Sequence, residues 1–219
     1  MARRRFGPRS ERGAVAVEAA IVTPLLMILL LGIVEMSLLM RDVVSTNSSV
    51  RTGARVASSS AGAGPGTCEA SASPPPCTPA SAPAVAQVAA DAIGRAGSAM
   101  GKEAIDWLLV YSANSQGYPL PAGNTSLTCT TKCVKYIWDA NLNSGAGKFR
   151  YASGSWDSKS INACLNDANR ESVGVVLQTK HSWVTGFFGN GMNLQERSVM
   201  QFEPLPNESC KPGTVNPHP

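Results

Sequence analysis

Two carboxylates stand inside the most apolar stretch of this 219-residue chain. Residues 14–40 read AVAVEAAIVTPLLMILLLGIVEMSLLM, with Glu18 near the start, Glu35 towards the end and no charge between them. At ~1.5 Å of rise per residue, such a helix crosses a hydrocarbon core of roughly 30 Å. A charged side chain within a spanning segment costs at least ~2.5 kcal/mol near the bilayer centre and less near an interface. A residue kept at that cost is a candidate for function. Two readings are open to Glu18: a carboxylate near the cytoplasmic interface, protonated or snorkelling to the headgroups, or a counter-ion for a cation on a neighbouring helix. Glu35 comes ~25 Å further along by helical rise and is expected near the outer interface. Gly13 marks the border between a basic leader and the apolar run, five residues before Glu18.

Six cysteines, Cys68, Cys77, Cys129, Cys133, Cys164 and Cys210, all lie after the apolar run, and none precedes it. An even number in a loop-rich exported domain points to disulfides. Proximity favours Cys68 with Cys77 and leaves the other four open. Cys129 and Cys133 have the spacing of half a zinc site, but no second short pair answers them, and His181 and His218 are far apart in sequence. No metal or cofactor is expected. A catalytic constellation is not legible either: there is no Gly-x-Ser-x-Gly elbow, no phosphate loop and no His-Glu-x-x-His helix. Asp106, Asp139 and Asp157 are scattered, and His181 reads as a surface or half-buried strand residue rather than a base. The expectation is a protein that is not an enzyme.

Composition indicates the elements that must carry these residues. One globular domain plus a membrane anchor fits the length. The net charge of +4 is too small to argue for nucleic acid. Much of it sits in residues 1–13, where Arg3, Arg4, Arg5, Arg9 and Arg12 face a single Glu11. A basic flank stays cytoplasmic, so the chain beyond the helix is carried outward. A removable signal peptide has a shorter apolar region and a small-x-small cleavage site, and the end of this run offers no such site.

The first helix is expected to continue beyond the membrane to residue 58, with Val43, Val44, Val50, Ala54 and Ala57 as a weak apolar face and a kink at Pro24. Residues 59–83 form a Ser/Ala/Pro-rich linker. Apolar residues at helical spacing predict a second helix over 84–100. Strands are predicted over 105–112, 135–139 and 148–152, the last two joined by NLNSGAG, and over 173–183 and 192–203 as a hairpin. Between the hairpin strands, Gly189, Asn190 and Gly191 suit positive φ. The apolar WVTGFF of residues 183–188 reads as core packing at a hairpin end, the alternative being an exposed contact surface for another subunit or the membrane. The whole is α+β: a long N-terminal transmembrane helix (14–58), then an extracytoplasmic domain (84–210) with a second helix packed on an antiparallel sheet, and a Pro-rich tail (211–219).

Arg12 and Gly13, the run AVAVEAAIVTPLLMILLLGIVE, and VRTGARVAS at residues 50–58 together resemble the TadE-like pseudopilins of tight-adherence pilus systems. The likeness returns in SVGVVLQTKHSW, WVTGFF and ERSVMQFEP between residues 172 and 204. It implies a membrane protein cut by a prepilin peptidase between Gly13 and Ala14, with Glu18 as the glutamate five residues into the mature chain and Glu35 as a family acidic position after Gly-x-x. Helix–helix assembly is the role the likeness implies for Glu18, with Glu35 grouped beside it. The implied partners are the membrane, the peptidase, pilin and other pseudopilin subunits, and the pilus assembly machinery. The implied location is the cell membrane, single-pass, with a cytoplasmic N-terminus. The alternatives are an uncleaved membrane-tethered binding or adhesion module, and an exported enzyme.

Overall fold

The computed structural model describes residues 10–66, 82–95, 101–186, 189–206 and 210. The first element, α1 (Ser10–Ser58), is one 49-residue helix that runs through Pro24 without ending. The second, α2 (Ala84–Arg95), is short and amphipathic. Five strands come next: β1 (Ile105–Ala113), β2 (Cys133–Asp139), β3 (Lys148–Ser155), β4 (Ser172–His181) and β5 (Met192–Gln201). They form one sheet in the order β3-β2-β1-β4-β5, and every neighbouring pair is antiparallel. The expected α+β architecture is therefore present, including both hairpins. The turn before β3 uses positive φ at Asn143, Ser144, Gly145 and Gly147, and the β4–β5 loop uses it at Gly189 and Gly191.

Alternation along the strands divides the sheet into two faces. On one face Leu108, Val110, Val134, Phe149, Val175 and Leu177 meet Val50, Ala54 and Ala57 of α1 and Val85, Ala89 and Ile93 of α2. Small residues let the two helices approach closely. A Cβ on Gly53 would lie 2.7 Å from Ile93 Cδ1. A glycine inside a helix costs up to ~1 kcal/mol relative to alanine, and here that cost is set against a close helix crossing. On the other face Leu109, Tyr111, Cys133 and Val176 form a smaller cluster with Trp107, Leu127 and Cys129.

Two disulfides hold the loops. Cys129 bonds Cys133 at a Cα–Cα distance of 5.7 Å, closing a short loop at the start of β2. Cys164 bonds Cys210 at 5.2 Å, tying the segment before β4 to the chain after β5. Backbone bonds from Leu165 to Leu205 O and from Leu205 to Ala163 O run beside it. The expected Cys68–Cys77 pair lies outside the described residues, as do residues 96–100 of the expected second helix. The two ends of the 59–83 segment are pinned together by Gly66 N–H to Ala82 O (2.8 Å) and Ala84 N–H to Gly64 O (2.9 Å).

Candidate functional site

Two parts of α1 are chemically distinct. Over residues 15–34 every large apolar side chain is exposed, from 37% for Leu31 to 71% for Ile21. These residues cover all sides of the helix, and none of the described chain packs on them. By rise they measure ~30 Å, a hydrocarbon thickness. A helix apolar all round and covered by none of its own chain is satisfied by lipid or by other helices. One apolar helix of this kind fits a single-pass membrane protein. Glu18 is exposed on this cylinder, and Gly13 is exposed at its start, with open space where a Cβ would stand.

Glu35 is placed differently. Only 1% of it is exposed, because the loop after β4 closes over it. Its Oε1 accepts from the Thr185 amide (2.6 Å) and the Thr185 hydroxyl (2.7 Å), and its Oε2 accepts from the Val184 amide (3.2 Å). Bonds to an ionised acceptor are stronger than neutral ones. Glu35, grouped with Glu18 as an assembly residue, is thus engaged within its own chain: β4 runs beside α1 and delivers its loop to the helix.

Further along α1 from that clamp, a polar seam joins the helix to β4. Asp42 Oδ2 lies 2.7 Å from His181 Nδ1. Thr46 Oγ1 lies 3.3 Å from Thr179 Oγ1 and also donates to Asp42 O (2.8 Å). Asn47 Nδ2 donates to Glu196 Oε2 on β5 (3.3 Å). Residues 35, 42, 46, 50, 54 and 57 recur at helical spacing, so one face of α1 meets the sheet throughout, polar near the membrane and apolar further out.

Three expectations are corrected here. The weak apolar face of α1 included Val44, which is 67% exposed, whereas Thr46 is fully buried. Thr46 packs close to the sheet and its hydroxyl finds partners in Asp42 O and Thr179 Oγ1, so it takes the buried position that hydrophobicity alone would give to valine. His181 is 2% exposed rather than a surface or half-buried residue, because Asp42 accepts its Nδ1–H and Trp183 packs edge-on to its ring at 4.7 Å. The segment WVTGFF is not core packing over its described part. Trp183 is half-buried and Val184 is 73% exposed, because the Glu35 clamp draws this loop to the side of α1; Phe187 and Phe188 lie outside the described residues.

Chemically, these arrangements bind and position. Among the described residues no three His, Cys, Asp or Glu side chains gather as a metal site.

One comparison with known proteins falls on the long helix. Residues 13–55 match the family model for TadE-like protein. The TadE-like segment begins at Gly13 and ends inside α1, so it takes in Glu18, the apolar cylinder, Glu35, Asp42 and Thr46. The further likeness expected between residues 172 and 204 is outside it. Comparison with curated proteins and with solved structures gives no match. The TadE-like segment carried one sequence signal for Glu35, the acidic residue after Gly32-Ile33-Val34. Neither Asp42 nor His181 carried a signal, since their pairing spans 139 residues.

Proposed function

We propose that the chain is a TadE-like pseudopilin, acting in assembly of a tight-adherence pilus and not as an enzyme. The observation that carries the reading is the TadE-like match itself, which starts at the Gly13 junction and runs along the exposed apolar helix. In this reading a prepilin peptidase cuts between Gly13 and Ala14. The new ammonium on Ala14 then sits at the start of an apolar helix and needs a partner once helices bundle and water is excluded. Glu18 of a neighbouring helix supplies it, and other registers are penalised by an unpaired charge. The exposed position of Glu18, against the internally bonded Glu35, supports giving this role to Glu18 alone. The basic residues of the leader support a cytoplasmic N-terminus with the sheet domain outside. Its partners are then pilin and other pseudopilin subunits and the assembly machinery.

The test is the mature N-terminus, read by intact mass of membrane-extracted protein expressed with and without a prepilin peptidase. A start at Ala14 only in the presence of the peptidase is expected. A start at Met1 or Ala2 in both samples overturns the processing step and favours an uncleaved tethered module, for which Glu18→Ala is silent.

A further inference from the structure

We infer that the loop after β4 is a membrane-docking element: Trp183 and Val184 seat in the outer headgroup region beside α1, and Glu35 holds them at that depth. The inference rests on α1 crossing the bilayer and is independent of pilus assembly.

Depth is set by geometry. Exposure of the large apolar side chains on every side of α1 lasts to Val34, and Glu35 is the first residue that the loop after β4 covers, so Glu35 stands at the outer boundary of the hydrocarbon. Its carboxylate receives the Val184 and Thr185 amides, which puts both loop residues level with that boundary.

The chemistry of the loop suits the depth. Val184 is 73% exposed on a stretch of the β4–β5 connection that hydrogen bonds to Glu35 hold against the helix, and water is a poor neighbour for it. Trp183 combines a broad apolar ring with an N–H donor, the amphipathic form enriched at bilayer interfaces. On α1 the apolar surface continues one to two turns past Glu35 through the exposed Met36 and Met40. Next come cations: Arg41, whose side chain is 52% exposed, and the exposed Lys180 near the end of β4. Apolar side chains at the boundary with cations just above them match acyl chains beneath phosphate headgroups.

The clamp also explains why Glu35 is acceptable at this level. A carboxylate at the hydrocarbon boundary that takes two backbone amides and a hydroxyl meets no lipid, being 1% exposed. In return, the amides of a loop entering the headgroups are satisfied by the protein.

The experiment uses the full chain in vesicles of phosphatidylcholine and phosphatidylglycerol, with bromine placed either high on the acyl chains or near their ends. Flotation first establishes incorporation, and failure to float overturns both the anchor and the loop inference. Tryptophan emission is then compared between wild type, Trp183→Phe and Val184→Asp. High bromines are expected to quench wild type more than deep ones, and Trp183→Phe is expected to remove more than half of that excess. Val184→Asp, at an exposed position with little packing to lose, is expected to lower it as well while unfolding at the wild-type temperature. Should Trp183→Phe fail to fold, the Val184→Asp comparison decides. Equal high-bromine quenching in wild type and the folded variants overturns the inference. So does an absence of high-bromine quenching together with a cross-linked dimer that Val184→Asp dissolves, which would assign the loop to a second copy of the chain.

Discussion

His181 Nδ1 lies 2.7 Å from Asp42 Oδ2, joining the last residue of β4 to α1 two turns beyond Glu35. An ionised carboxylate only accepts, so the imidazole donates its Nδ1–H. The histidine is 2% exposed and the Asp42 side chain 13%, with Arg41 also 3.2 Å from its Oδ1. Truncating His181 to Ala removes a hydrogen bond to a charged group and leaves Asp42 with its exposed neighbour alone. A loss of about 1.5–3 kcal/mol is expected. Asp42→Ala should cost a similar amount, and the double variant should cost clearly less than the two singles together. Denaturant midpoints of the detergent-solubilised chain measure all three, and strict additivity would mean that the pair does not couple.

The Glu35 clamp predicts local rather than global behaviour. The Val184 and Thr185 amides donate to a side chain, not to a strand partner, so their protection from hydrogen exchange depends on Glu35. Losing bonds worth about 1–2 kcal/mol raises exchange by roughly 5- to 30-fold. Glu35→Ala should show that rise at both amides, with β1 and β4 unchanged. Glu35→Gln keeps one acceptor oxygen and should fall between. Unchanged exchange in Glu35→Ala would mean that the loop holds itself.

The features legible in the sequence are those that local pattern decides. Short β-branched and aromatic runs, with turn residues between the hairpin strands, placed the five strands, and the long apolar run placed α1. The direction that α1 faces beyond the membrane was not legible, because hydrophobicity ranks Val44 above Thr46, while the sheet selects Thr46 for size and for its contact with Thr179. Glu35 and His181 were visible as residue types, yet their partners lie 149 and 139 residues away. No periodicity carries such a pairing. The Cys129–Cys133 spacing admits either a metal half-site or a small disulfide loop, and only the bend of the chain into β2 decides it.

The two described disulfides should differ in weight. Cys164–Cys210 closes a separation of 46 residues and Cys129–Cys133 one of only 4. In the chain-entropy picture the longer loop is worth about 4 kcal/mol and the shorter about 2 kcal/mol. The Cys164→Ser/Cys210→Ser pair should therefore lower the thermal midpoint more than Cys129→Ser/Cys133→Ser. It should also expose the chain after β5 to protease, since Leu205 pairs with Ala163 and Leu165 beside that bridge. Equal losses would show that native-state packing, not loop closure, sets the contribution.

Tyr111 makes the far face of the sheet sensitive to alkali. It is fully buried over Gly174, where a Cβ would lie 2.2 Å from its ring, and its hydroxyl donates to Gly117 O at 2.8 Å. Burial pushes its phenol up to about 12. In the unfolded chain a tyrosine releases its proton near pH ~10. Its folded-state value is raised, so its contribution is fully present below pH ~10 and is lost as pH rises towards 12, by about 2–3 kcal/mol across that window. Burial raises Tyr136 as well, so a single substitution leaves part of the slope. Tyr111→Phe should start about 1 kcal/mol less stable at neutral pH, having lost the bond to Gly117. Between pH ~10 and ~12 it should lose less stability than wild type, and because that loss exceeds the initial gap the two stability curves should meet and then cross. Parallel curves would mean that Tyr111 ionises in the folded protein as readily as in the unfolded chain, and that the loop over it opens to water.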